Sequence, residues 1–198
     1  MNFILQRRRS RSVWNPALAG LMFLVLTLAA GAPAQEEKPS DYQVKAAFLF
    51  NFGKFVEWPT NAFAGAQSPL VIGVLGDDPS HGDLERVLAG RSIGLRRVEI
   101  REVQSPSELS GCQIVFITSI VPSAGMREAL KNLDGASVLT VGETDGFCEA
   151  GGMINFVIEN HQVHFDINNG AAVAVKLKIS SKLITLARRL VQTGPSAH

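Results

Sequence analysis

Leu70-Val-Ile-Gly-Val-Leu-Gly76 runs seven residues without a polar side chain, then meets Asp77-Asp78-Pro79. An unbroken apolar run of this length fits a strand buried on both faces, as in sheets covered by helices. The Asp-Asp-Pro that follows is turn chemistry. Asp78 suits an N-cap and Pro79 a first helical position, so a helix is expected near residues 81–88. Ile114-Val-Phe-Ile-Thr118 and Val138-Leu-Thr-Val141 repeat the apolar run, with a helix expected between them over 125–133. Residues 97–103 alternate loosely through Val98, Ile100 and Val103, which suits a strand at the sheet's margin. This strand and helix alternation predicts an α/β layer structure.

The last third reads differently. Residues 153–159 and 162–168 each alternate apolar and polar. Ile154, Phe156 and Ile158 share a face with Val163, Phe165 and Ile167, and Asn160-His161 suits a hairpin turn. The sheet is therefore expected to be mixed. A short helix is expected over 170–176. Ser180 or Ser181 then caps a last helix over 182–192, with Leu183, Leu186, Ala187 and Leu190 on one face.

Upstream of the first strand, Ser40-x-x-Gln43 has the form of a capping box, so a helix is expected from Asp41. Val44, Phe48, Phe52, Phe55 and Trp58 recur as one helical stripe, and Pro59 ends it. Phe50 falls on the other side, beside Gln43, Lys54 and Glu57, either exposed or covered by another element. The fold class that results is α/β: a single-domain sandwich, with a mixed, roughly six-stranded sheet and helices on both faces.

Residues 1–34 hold Arg7, Arg8, Arg9 and Arg11 and no acidic residue. An apolar stretch of 13 residues, 18–30, follows the arginines, and Ala32-Pro33-Ala34 has the form of a cleavage site before Gln35. A spanning helix needs roughly 20 residues. The pattern predicts a secretory signal cleaved after Ala34; an uncleaved N-terminal anchor is the alternative. What remains is residues 35–198, the size of one domain. It carries 15 basic against 18 acidic residues, a formal charge of −3. No basic field is left for nucleic acid. The last six residues, 193–198, read as a loose tail.

Cys112 and Cys148 are the two cysteines. Outside the cytoplasm an even pair suggests a bridge. Cys112 opens one parallel strand and Cys148 lies beyond the end of the next, so about 23 Å of strand separates them. A disulfide needs Cα atoms within roughly 7 Å. Both are expected to be unpaired.

The chain has no Gly-x-Ser-x-Gly elbow and no P-loop. His164 and Asp166 share the polar face of one strand, but two ligand types do not make a metal site, and a solvated face is expected. Asp77, Asp78 and His81 are accounted for by turn and cap chemistry. Ser180-Ser181-Lys182 reads as a cap. The glycine-rich Gly146-Phe-Cys-Glu-Ala-Gly-Gly152 turns the chain, with a backbone anion nest as the alternative. Lys176, Lys178, Lys182, Arg188 and Arg189 concentrate positive charge near the C-terminus. Either they form a solvated face and complement a helix dipole, or Lys178 and Arg188 mark a site for an anionic ligand. No catalytic residue, metal or cofactor is expected.

These motifs together resemble the YfiR/HmsC-like family of periplasmic regulators. The resemblance rests on the aromatic helix ending in Glu57-Trp58-Pro59, on Gly151-Gly-Met-Ile154 after a Gly-Phe-Cys loop, and on Ile167-Asn168 followed by Leu177-x-Ile-Ser-Ser-x-Leu183. It implies a non-enzymatic protein that binds the periplasmic domain of an inner-membrane diguanylate cyclase and holds it inactive, lowering cyclic di-GMP and biofilm formation. It also implies a homodimer, with the membrane contacted only through the partner. In the best-known members, cysteines matching Cys112 and Cys148 each pair with another cysteine; the equivalent positions here are Gly73 and Asn155. The competing reading is a periplasmic small-ligand sensor or carrier for a nucleotide or amino acid. For docking, an apolar anchor with a polar rim is needed, and Phe50, Lys54 and Glu57 are the residues expected to supply it.

Overall fold

Ser40 starts the first helix as its sequence requires. Its hydroxyl accepts the Gln43 N–H at 3.1 Å, and the Gln43 side chain accepts the Ser40 N–H at 3.2 Å. The computed structural model describes residues 39–77 and 82–192, all in one compact unit that begins at Pro39. The expected signal segment, the Asp78-Pro79 turn, His81 and the C-terminal tail with His198 lie outside the described residues.

In chain order the elements are α1 (Asp41–Phe55), β1 (Val56–Glu57), β2 (Leu70–Leu75), α2 (Asp83–Leu88), β3 (Ser92–Ile93), β4 (Arg96–Val103) and β5 (Ile114–Ile117). Then come α3 (Ser123–Asn132), β6 (Leu139–Gly142), β7 (Ile154–Glu159), β8 (Gln162–Ile167), α4 (Asn169–Ala174), β9 (Lys178–Ile179), α5 (Ser181–Leu186) and β10 (Arg189–Leu190). Eight strands form one sheet in the order β10-β8-β7-β6-β5-β2-β4-β3, and β1 pairs with β9 separately. β2, β4, β5, β6 and β7 run parallel, whereas β8 is antiparallel to β7. The tight β7–β8 turn places Asn160 and His161 at positive φ, as a two-residue hairpin demands. The expected count of about six strands is corrected to eight. The two additions, β3 and β10, are two-residue edges too short for periodicity to reveal.

The sheet divides the core by the period-two rule. Leu70, Ile72 and Val74 of β2 face one cluster with Ala46, Leu49 and Phe52 of α1 and Leu84 and Leu88 of α2. Val71 and Leu75 face the other, with Met126 and Ala129 of α3. Helices thus cover both faces. Phe147 fills the second cluster, its ring lying where a side chain on Gly142 or Gly152 would sit. The glycine-rich segment is therefore a cradle for this ring as well as a turn.

Two expectations fail locally. α1 stops at Phe55, short of Trp58, because Val56 and Glu57 pair antiparallel with Ile179 and Lys178. Of the expected stripe Phe52 is fully buried, in line with Ala46, Leu49 and Gly53, whereas Val44, Phe48, Phe55 and Trp58 are only partly buried. A Cβ on Gly53 would stand 2.5 Å from Ile93 Cδ1, so small residues make the closest approach while Phe48, Phe55 and Trp58 flank it, partly buried. The rings of Phe48 and Phe52 each pack 5.3 Å from Phe165. The expected helix over 182–192 is also corrected. α5 ends at Leu186, and Arg189 and Leu190 form β10 beside Asp166 and Ile167. Leu186 is 69% exposed, so the expected apolar face does not exist. Backbone bonds from Arg188 N to Phe165 O and from Val191 N to Ile167 O, both 2.8 Å, hold the extended path.

Candidate functional site

Two parallel strands end side by side with Ser119 after β5 and Glu143 after β6. The carboxyl ends of such strands are where open α/β sheets bind ligands. Glu143 is the hub there. Its carboxylate accepts the Ser119 N–H at 2.7 Å, the Tyr42 hydroxyl at 3.2 Å and the Lys45 ammonium at 2.5 Å. The Lys45 and Glu143 side chains are 5% and 4% exposed. Lys45 Nζ also lies 4.2 Å from the centre of the Tyr42 ring, a cation–π distance. The first turns of α1 are thereby tied to the ends of two strands. Asp41, Asp145, Phe156, Val157 and Ile158 join these residues around a cavity of about 360 Å³. Sequence reading missed Lys45 and Glu143. The one available signal was Glu143's place just after a buried strand.

The expected docking residues separate into two places. Phe50 packs half-buried against the core under α1, with Lys54 Nζ 5.8 Å and Arg91 Cζ 5.0 Å from its ring centre. Lys54 is exposed. Glu57 lies past the helix end on β1 and pairs at 3.1 Å with Lys178 on β9, an exposed ion pair.

The expected anion-site residues Lys178 and Arg188 are not brought together either. Arg188 binds Asp166 through two bonds, Nε to Oδ1 at 2.9 Å and Nη2 to Oδ2 at 2.7 Å. Arg189 adds bonds of 3.1 and 3.0 Å to Oδ2 and reaches Glu149 at 2.9 Å. Asp166 is 1% exposed, which corrects the expected solvated face. Burial alone would raise its carboxyl, but the bonds from Arg188 and Arg189 outweigh burial and hold it below the ordinary carboxylate value. Among the described residues no group of three potential metal ligands occurs.

A model of the YfiR/HmsC-like family matches residues 42–188. The chain belongs to the YfiR/HmsC-like family. No curated protein matches it. Among solved structures, it is similar to a conserved domain protein from Vibrio cholerae O1 biovar El Tor, with a TM-score of 0.54 and 9% identity over 77% of this chain and 60% of that one. A second is the ABC domain in complex with L-Trp from Streptococcus pneumoniae, with a TM-score of 0.46 and 16% identity over 61% of this chain and 55% of that one. The chain thus spans less than two thirds of either, and the likeness to the first concerns the fold alone.

In this YfiR/HmsC-like chain Cys112 and Cys148 are both buried and free. Burial raises the Cys112 thiol and, with the nearby Asp166 and Glu149 charges, pushes Cys148 up to about 12. Neither supplies thiolate near neutral pH, so neither is a nucleophile there. Gly73 adjoins Cys112: a Cβ added to it would lie 3.5 Å from Cys112 Cβ and 2.7 Å from its sulfur. Asn155 is buried, and among the described residues its Oδ1 has no hydrogen-bond partner.

Proposed function

We propose that this YfiR/HmsC-like protein is a periplasmic, non-enzymatic regulator. It binds the periplasmic domain of an inner-membrane diguanylate cyclase and holds that enzyme inactive, lowering cyclic di-GMP and biofilm formation. Family membership over residues 42–188 is the observation that carries this reading. Residues 1–34 serve as an export signal cleaved after Ala34, and residues 35–198 form the exported domain, which self-associates as a homodimer. The membrane is reached only through the partner; among the described residues no helix is long and apolar enough to cross it.

The contact surface in this reading centres on Phe50 and Lys54, with Glu57 at the far end of the same segment. A half-buried ring rimmed by cations offers an apolar anchor with a polar edge. The competing carrier reading leans on the basic C-terminal segment. Arg188 and Arg189 are already bonded to Asp166 and Glu149, so that segment has less free charge than its composition implies. Affinity capture from membranes of the native host tests the proposal. Enrichment of a membrane diguanylate cyclase is expected. Capture that enriches no cyclase, under conditions that retain the cyclase in solubilised form, contradicts it.

A further inference from the structure

We propose that the cavity above the ends of β5 and β6 binds a small organic cation: a primary amine carried on an apolar body. Such a site would work whether or not the protein has a membrane partner. Four charged side chains line the cavity: Asp41, Glu143, Asp145 and Lys45. The single cation among them is consumed by its ion pair with Glu143. Asp41 and Asp145 are exposed and have no ion-pair partner among the described residues, so the cavity keeps a net negative charge, offset in part at Asp41 by the N-terminus of α1. An anionic ligand, nucleotides included, is disfavoured by that field; an ammonium group is favoured.

The remaining wall selects for more than charge. The side chains of Tyr42 and Ile158 present aromatic and apolar surface, Ile158 51% exposed at the edge, while Phe156, 3% exposed, packs in the core behind them. The Tyr42 ring already carries one ammonium over its face, that of Lys45. At about 360 Å³ the cavity lies near the lower end of the roughly 300–1,000 Å³ of ligand pockets. The fit is therefore a compact molecule with one cationic end. The bond between Lys45 and Glu143 holds the floor in place before any ligand arrives, which limits the ordering cost of binding.

Calorimetry on the exported domain, with phenethylamine, phenylacetate and methylamine as probes, tests the site. Phenethylamine is expected to bind saturably with a Kd on the order of 1 mM or tighter. Phenylacetate, with the charge reversed, and methylamine, without the apolar body, should each bind at least about tenfold more weakly. The double variant D41N/D145N, altered at exposed positions, should weaken phenethylamine about tenfold, the scale of one charge-assisted contact. Absence of phenethylamine binding overturns the proposal. So does equal binding of methylamine, which would mean unspecific attraction to acidic surface, or unchanged affinity in the folded double variant.

Discussion

Arg188 grips the buried Asp166 carboxylate through both of its oxygens, at 2.9 and 2.7 Å. That contact, seconded by Arg189, turns the C-terminal segment from a helix into a sheet edge. A buried carboxylate needs a paired charge, and a helix continuing past Leu186 would carry both guanidinium groups away. Asp166→Ala should therefore release β10 and cost about 2–3 kcal/mol, somewhat under the usual cost of orphaning a buried charge because both arginines can reach water. Urea denaturation at neutral pH measures this, and an unchanged midpoint contradicts it.

The same carboxylate sets a pH dependence. An unfolded aspartate titrates near 3.9, and folding lowers the Asp166 value. Between the two values the unfolded chain binds more protons. The stabilisation is complete above the unfolded value and is lost as pH falls through the folded one. Asp166→Asn should flatten the acid limb of stability against pH. An acid limb identical to the unsubstituted protein's would sink the assignment.

Lys45 and Glu143 form the second buried pair. Lys45→Met leaves the Glu143 carboxylate to Ser119 N–H and Tyr42 alone, and should cost about 3–5 kcal/mol. Adding Glu143→Leu should recover part of that loss, because the orphaned charge is gone. A double-mutant cycle reads the coupling directly, and strict additivity would show that the two side chains act separately.

Gly73→Cys should restore a bridge to Cys112. The position has no left-handed φ and the Cβ separation of 3.5 Å lies at the short end of disulfide geometry. Closing so long a loop should add about 2–4 kcal/mol. Thiol titration of the unfolded, unreduced variant should find one free thiol, Cys148; three would mean that no bridge forms.

These cases also show what was legible. The six longer strands and the capping box at Ser40 follow from periodicity and cap chemistry, which are local. β3 and β10 do not, since two residues have no period. The stripe through Val44, Phe48 and Phe55 misplaced the closest face of α1, because the sheet selected Ala46 and Gly53 for their small size. The path after Leu186 depends on Asp166, 20 residues upstream of it, and the Lys45–Glu143 pair joins segments 98 residues apart. Such partnerships are made by the fold, and sequence spacing does not carry them.

The proposed repression of a membrane cyclase is read out by cellular cyclic di-GMP in a deletion strain. Deletion should raise cyclic di-GMP, and re-expression of the unsubstituted chain should restore the lower level. Phe50→Ala should fail to restore it while remaining folded, since a half-buried ring costs less than the roughly 3–5 kcal/mol of a fully buried one. Cyclic di-GMP that stays unchanged on deletion would rule that repression out.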